Sequence, residues 1–215
     1  SRDPQQTLRL EGPVFLWTLG TLDKQKFPAL FTEGARGIQA HPFDGRAFAA
    51  KGIDLVVHPS LFEDVPSEAP PLFSDFAVDY NGDGRSEAIL FQKDRILLLC
   101  QHPDGDFRCL QKLPLPVDAA TVLQPGAAGR VVETLTIPFL AFGDFDGDRR
   151  PDIAYYRDES IGIFRQGPDG LFAAAAKYDL AAEKHKRRGR FIQFEIPPRI
   201  GDFNNDGFLD LVLAY

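Results

Sequence analysis

The sequence predicts an all-β fold of four-stranded antiparallel sheets set side by side, and three observations predict it. Short apolar runs recur along the chain, among them Ala88 to Phe91, Ile96 to Leu99, Ile153 to Tyr156 and Ile161 to Phe164. Runs of this length between turn signals read as strands. Turns built on Asp-Gly follow at matching places, in Pro42 to Gly45, Pro103 to Gly105 and Pro168 to Gly170, each with an aromatic soon after (Phe48, Phe107, Phe172). Glycine supplies the positive φ that such turns need. Finally, three acidic loops of one design start at Asp79, Asp144 and Asp202, about 60 residues apart, a period that marks an array of supersecondary units.

One unit therefore reads as strand, acidic loop, strand, short polar turn (92–95 or 157–160), strand, Asp-Gly turn, strand. A lone sheet cannot bury both faces, so the sheets must stack, and radial stacking gives the blades of a β-propeller. The repeats are placed at about 13–60, 72–115, 136–180 and 191–215, about three and a half in all. In the first, Gly20 matches Gly143 and Gly201, but Thr21, Gln25 and Ala29 stand where the acids should be, so this copy is expected to have lost its loop chemistry. The fourth stops at Tyr215 after its second strand. The chain is thus expected to be a segment of a larger propeller, or to be completed by another segment, with 7–10 offering one closing strand. Segment 66–71 is a proline-rich crossing, and 117–132 carries the extra length of the second unit. Ala173 to Ala176 favours helix by propensity, but its place after the Asp-Gly turn assigns it to an outer strand. Trp17, Phe73, Phe76, Phe139, Phe142 and Phe194 flank the loops and are expected in the core.

The chain has 215 residues and a hydrophobic fraction of 44%, enough for a core without help from disulfides. No apolar run of about 18 residues exists, so no helical membrane span is expected. The net charge of −7 disfavours nucleic acid as a partner. Cys100 and Cys109 flank a predicted hairpin turn. A disulfide across it and two free thiols are both open, and a disulfide would support an oxidising compartment.

The acidic loops carry the chemistry. They read Asp79, Asn81, Asp83 and Glu87; Asp144, Asp146, Asp148 and Asp152; Asp202, Asn204, Asp206 and Asp210, at relative positions 1, 3, 5 and 9. A tight turn aims alternate side chains at one point, and oxygen clusters suit a hard cation, above all calcium. Three such ions would bring the formal charge to −1. An EF-hand would need Glu at position 12, where Leu90, Tyr155 and Leu213 stand in strands. Bare acidic turns are the alternative, but their carboxylates would repel one another strongly.

With an acid at position 9, strand context and this period, the chain resembles the FG-GAP/VCBS repeat family, the repeat of the integrin α-subunit propeller and of many secreted bacterial proteins. The resemblance implies three Ca²⁺ sites in which the carbonyls of Arg85, Arg150 and Phe208 at position 7 join the side-chain ligands. Arg149 departs from the pattern, since Gly is usual at position 6, and is expected to strain its turn.

One basic cluster exists, Lys184, Lys186, Arg187, Arg188 and Arg190, readable as a solvated connection or as a contact patch for an acidic partner. Ser60 and Ser74 lack a nucleophile motif, and the paired acids all lie in the metal loops. The resemblance implies a non-enzymatic, calcium-stabilised interaction or adhesion module with a protein or glycan ligand, extracellular, at a cell surface or periplasmic. Two alternatives stay open: an accessory propeller of a secreted carbohydrate-active enzyme, and a subunit or fragment completed by another polypeptide.

Overall fold

The computed structural model describes residues 6–10, 12–23, 25–63, 71–115, 119–123, 131–135, 137–157, 160–179 and 199–212. The described residues form strands and turns and no helix. The chain divides into two compact units, Ser1–Val117 and Asp118–Tyr215.

The first unit holds two sheets. One runs β4 (Ile53–Val57), β3 (Gly37–Pro42), β2 (Ala29–Gly34), β1 (Val14–Gly20) and β5 (Leu72–Phe73). The other runs β6 (Ala77–Val78), β7 (Glu87–Gln92), β8 (Arg95–Gln101) and β9 (Phe107–Pro114). In the second unit β10 (Ala119–Leu123) pairs with β11 (Val131–Leu135). A four-stranded sheet follows in simple order, β12 (Phe139–Gly143), β13 (Asp152–Arg157), β14 (Ser160–Gln166) and β15 (Phe172–Asp179). Last come β16 (Arg199–Gly201) and β17 (Asp210–Val212), an antiparallel pair. The fold is all-β, and its four-stranded antiparallel sheets have the up-and-down order of propeller blades.

Among the described residues, strands stand where the apolar runs 88–91, 96–99, 153–156 and 161–164 predict them. Ala173 to Ala176 lie in outer strand β15, so tertiary context overrides alanine's helical preference. Gly45, Gly105 and Gly170 have φ of 96°, 93° and 77° in the Asp-Gly turns. A bulge recurs as well. Register shifts between Ile38 and Gln39, Leu98 and Leu99, and Ile163 and Phe164, where the third strand meets the fourth. Each fourth strand thereby carries one unpaired residue and extra twist.

Three details differ from expectation. Residues 7–10 form no strand; instead the neighbouring Gln6 bonds the backbone of Phe48 in both directions. Leu72–Phe73 does not open the second repeat but adds to the first sheet as β5, parallel to β1. Phe73 is accordingly 58% exposed, edge-on to the half-buried Trp17. Phe76 is buried as expected, Phe139 and Phe142 are half-buried, and Phe194 lies outside the described residues.

The core of the first unit lies in and between its two sheets. Leu16, Phe31, Ile38, Phe76, Leu90, Phe91, Ile96 and Leu98 are fully buried, each contributing about 1.5–3 kcal/mol. Strand β6 is short, so β7 outruns it and leaves backbone groups to satisfy. The Phe76 carbonyl accepts from Ile89 N at 2.8 Å, and Phe91 O accepts from Leu61 N at 2.8 Å. Phe91 N donates to Glu33 Oε1 of the neighbouring sheet at 3.2 Å. Glu33 is fully buried and its Oε2 has no hydrogen-bond partner. Burial pushes its carboxyl well above the usual range, with the Phe91 bond opposing the shift.

One contact recurs between successive repeats. Gly20 ends β1, and a Cβ there would lie 2.8 Å from Phe31 Cε2 and 3.0 Å from Ser86 Oγ, the eighth residue of the next loop. Gly143 ends β12, and a Cβ there would overlap Leu209, the eighth residue of the next repeat's loop 202–210. Gly20 and Gly143 thus share a reason, the close approach of the next repeat, whereas at Gly201 the nearest side chain is Phe203 of its own loop.

Candidate metal-binding loops

The loop 144–152 joins β12 to β13, and its side chains build the turn before any ligand is considered. Asp144 accepts from Gly147 N at 2.7 Å and Asp148 N at 3.1 Å on Oδ1, and from Arg149 N at 2.7 Å on Oδ2. Asp146 accepts from Asp148 N at 3.1 Å, and Asp148 from Arg150 N at 2.9 Å. Asp152 is fully buried and accepts from Phe145 N at 3.2 Å and Gln166 N at 2.9 Å. Each carboxylate thus satisfies loop N–H groups that strand pairing cannot reach.

The other two loops repeat this scheme. Asp79 accepts from Gly82 N and Gly84 N at 2.7 and 2.9 Å, Asn81 from Asp83 N at 2.8 Å, and Asp83 from Arg85 N at 2.9 Å. Glu87 accepts from Tyr80 N at 3.1 Å. In 202–210, Asp202 accepts from Gly207 N at 3.0 Å, Asn204 from Asp206 N at 2.9 Å, Asp206 from Phe208 N at 2.9 Å and Asp210 from Phe203 N at 3.0 Å. Positions 4 and 6 have positive φ in all three: Gly82 and Gly84 (77°, 84°), Gly147 and Arg149 (81°, 68°), Asn205 and Gly207 (59°, 91°). Arg149 thus holds the left-handed conformation usually left to glycine, a strain of about 1–2 kcal/mol.

Convergence differs between loops. Asp144, Asp146 and Asp152 each offer an oxygen within 4.8 Å of the others. Among the described residues no other three acidic, His or Cys groups meet so closely. The remaining acid, Asp148, is paired with Arg150. In 79–87 the neutral Asn81 stands at position 3, its Nδ2 donating to Glu87 Oε1 at 2.9 Å, while Arg85 binds Asp83 at 2.5 Å. That guanidinium is the main reason the Asp83 carboxyl lies below the usual range. Asn204 donates to Asp206 at 2.9 Å in 202–210.

Burial is the largest force on two of the acids at position 9, Glu87 and Asp152. It raises Glu87 to about 7, with repulsion from Asp83 and Asp79 adding to it. It raises Asp152 likewise, with repulsion from Asp146 and Asp148. Burial acts upward on Asp144 too, but four backbone N–H bonds outweigh it and hold that carboxyl below its ordinary value. A buried acid beside other acids is the setting a bound cation relieves, and all the donors are hard oxygens. The residues of 144–152 fit a calcium-like ion.

The vestigial loop of the first repeat has cross-sheet bonds instead. Thr21 N donates to Ser86 Oγ at 2.9 Å, Ser86 N to Thr21 O at 2.9 Å, and Asp23 N to Gln101 Oε1 at 2.5 Å. Ala29, at position 9, is fully buried.

The remaining expectations fall as follows. Cys100 and Cys109 are free thiols, so the disulfide is not formed. Register sets Cys100 against Arg108 and Cys109 against Leu99, which puts the two on opposite faces of the hairpin. Cys109 is exposed, while Cys100 lies 3.4 Å from Tyr80 Oη. Lys184, Lys186, Arg187, Arg188 and Arg190 lie outside the described residues. Two contributors went unread in the sequence: Gln166, whose backbone holds Asp152, and Arg165, whose Nε lies 2.9 Å from Asp146 Oδ2. A signal for the first existed, since Gln101 and Gln166 recur at the ends of β8 and β14.

Residues 144–213 match the family described as FG-GAP-like repeat. The match starts at the first acid of one loop and takes in the whole of the next. Among solved structures, the Tc holotoxin pore of Photorhabdus luminescens is similar at a TM-score of 0.43 and 17% identity, over 91% of this chain and 8% of that one. The chain therefore spans a small fraction of that protein's length. No curated protein matches it.

Proposed function

We propose that this chain is a calcium-binding repeat module that acts by interaction rather than by catalysis. The observation that carries the reading is the meeting of Asp144, Asp146 and Asp152 within 4.8 Å, on a loop whose hydrogen-bond scheme recurs at 79–87 and 202–210. Three ions are held, one per loop. The residues are Asp79, Asn81, Asp83, the Arg85 carbonyl and Glu87; Asp144, Asp146, Asp148, the Arg150 carbonyl and Asp152; and Asp202, Asn204, Asp206, the Phe208 carbonyl and Asp210. Ca²⁺ supplies a fixed double charge that offsets the crowded acids and stiffens the loop.

The FG-GAP-like match supports a repeat module. Such a module works outside the cell, at its surface or in a periplasm, where calcium is abundant, and its ligand is a protein or glycan. Net charge of −7 argues against nucleic acid. No helix among the described residues is long and apolar enough to cross a membrane.

The test is calorimetric calcium titration of the chain and of its Asp83→Ala, Asp148→Ala and Asp206→Ala variants. Three sites are expected, each removed by its own substitution. A chain that takes up no calcium at millimolar concentration would refute the reading.

A further inference from the structure

The loops differ at position 3, which is Asn81, Asp146 and Asn204, so only 144–152 has a carboxylate there. Its extra charge meets a partner from outside the loop. Arg165, on β14, places Nε 2.9 Å from Asp146 Oδ2, with Asp146 17% and Arg165 59% exposed. Asp146 Oδ1 already accepts from Asp148 N, so both oxygens are engaged. Arg165 is well placed for this, because its neighbour Gln166 anchors the same loop. Gln166 N donates to Asp152, and Gln166 O accepts from Arg150 Nε at 3.0 Å. In the second repeat the residue matching Arg165 is Cys100, which precedes Gln101 as Arg165 precedes Gln166. Neutral Asn81 goes with a neutral Cys100, and charged Asp146 with a charged Arg165.

We propose that Arg165 is a built-in counter-cation of the 144–152 loop, which an arriving divalent ion must displace from Asp146, so that Arg165 sets the affinity of this site below what its four acids would otherwise give. The inference rests on the calcium reading above. The guanidinium and the metal draw on the same carboxylate, and Coulomb repulsion between them adds to the competition. The pair is partly exposed, so its effect is moderated by water and salt.

The experiment uses the full chain with the other two loops disabled, Asp83→Ala plus Asp206→Ala, titrated with CaCl₂ by calorimetry. Adding R165Q should tighten calcium about two- to fivefold, and R165K, which keeps a cation, should stay near the parent value. Adding D146N should weaken binding and abolish the gain from R165Q. Circular dichroism should show the same β signature in every variant. An unchanged or weaker affinity in R165Q overturns the proposal while the calcium reading stands, as does a gain that persists in D146N. Absence of calcium binding both with and without R165Q overturns the calcium reading of this loop and the proposal with it.

Discussion

The loop 144–152 and the vestigial segment 21–29 occupy the same place in two repeats, yet their backbones are held in opposite ways. In 144–152 the chain's own acids receive its N–H groups, so the loop is supported from within. In 21–29 the acids at positions 1, 5 and 9 are replaced by Thr21, Gln25 and Ala29, and support comes from Ser86 and Gln101 of the next sheet. Arg85 adds an ion pair to Asp23 at 3.9 Å. The comparison teaches that the acids have a structural duty of their own. A copy that loses them must borrow hydrogen bonds from its neighbour.

The comparison can be broken first at position 9. Ala29→Asp would set an unpaired carboxylate into a fully buried place and is expected to cost about 3–5 kcal/mol in urea unfolding, without creating a calcium site. The reverse change, Asp152→Ala, should cost about 2 kcal/mol in EDTA, because two N–H groups lose their acceptor. Relief of repulsion from Asp146 and Asp148 offsets part of that loss.

The joint beside the vestigial copy should respond to pH. The folded-state value of Glu33 lies above its ordinary 4.5, so the unfolded state gives up this proton first. Stability is therefore full below about 4.5 and is lost as pH rises toward the folded-state value, with a slope no steeper than about 1.4 kcal/mol per unit. Denaturant midpoints measured from pH 4 to 8 should show this decline. Glu33→Gln should flatten it, and a decline that survives the substitution would assign it elsewhere.

Two smaller substitutions sharpen the view of the loops themselves. Gly82 and Gly147 share position 4 and a positive φ, but only at Gly147 would a Cβ overlap a side chain, that of Phe208. Gly82→Ala should cost about 1 kcal/mol of backbone strain alone, and Gly147→Ala clearly more in thermal melts. Arg149→Gly should gain about 0.5 kcal/mol, the relief of left-handed strain less the entropy of an added glycine.

Sequence made the repeat legible because its signals are local. Turn glycines, loop acids and strand-length apolar runs each act within a few residues, so order and boundaries could be read in line. What it hid is what depends on register between distant segments. Leu72–Phe73 looks like the opening of a strand-rich unit, and only the short β6 and the free edge of β1 send it to the first sheet. Glu33 looks like a polar residue near a turn, and becomes a buried acceptor because β7 outruns its partner. The two cysteines are close in sequence, but a bulged register puts them on opposite faces. At the loops, the positions of the acids were readable from spacing, while the pairing of Arg165 was not, since nothing in the local pattern ties it to Asp146.

The fit of Ser86 over Gly20 and of Leu209 over Gly143 has a consequence for how such a chain can be recombined. The natural module is offset from the visible repeat: it begins within one copy and ends at the eighth loop residue of its successor. Grafts cut at the acidic motif would separate each glycine from the side chain shaped to cover it. Cuts placed after that eighth residue would carry the matched surfaces together, and chimaeras joined there should assemble where the others fail.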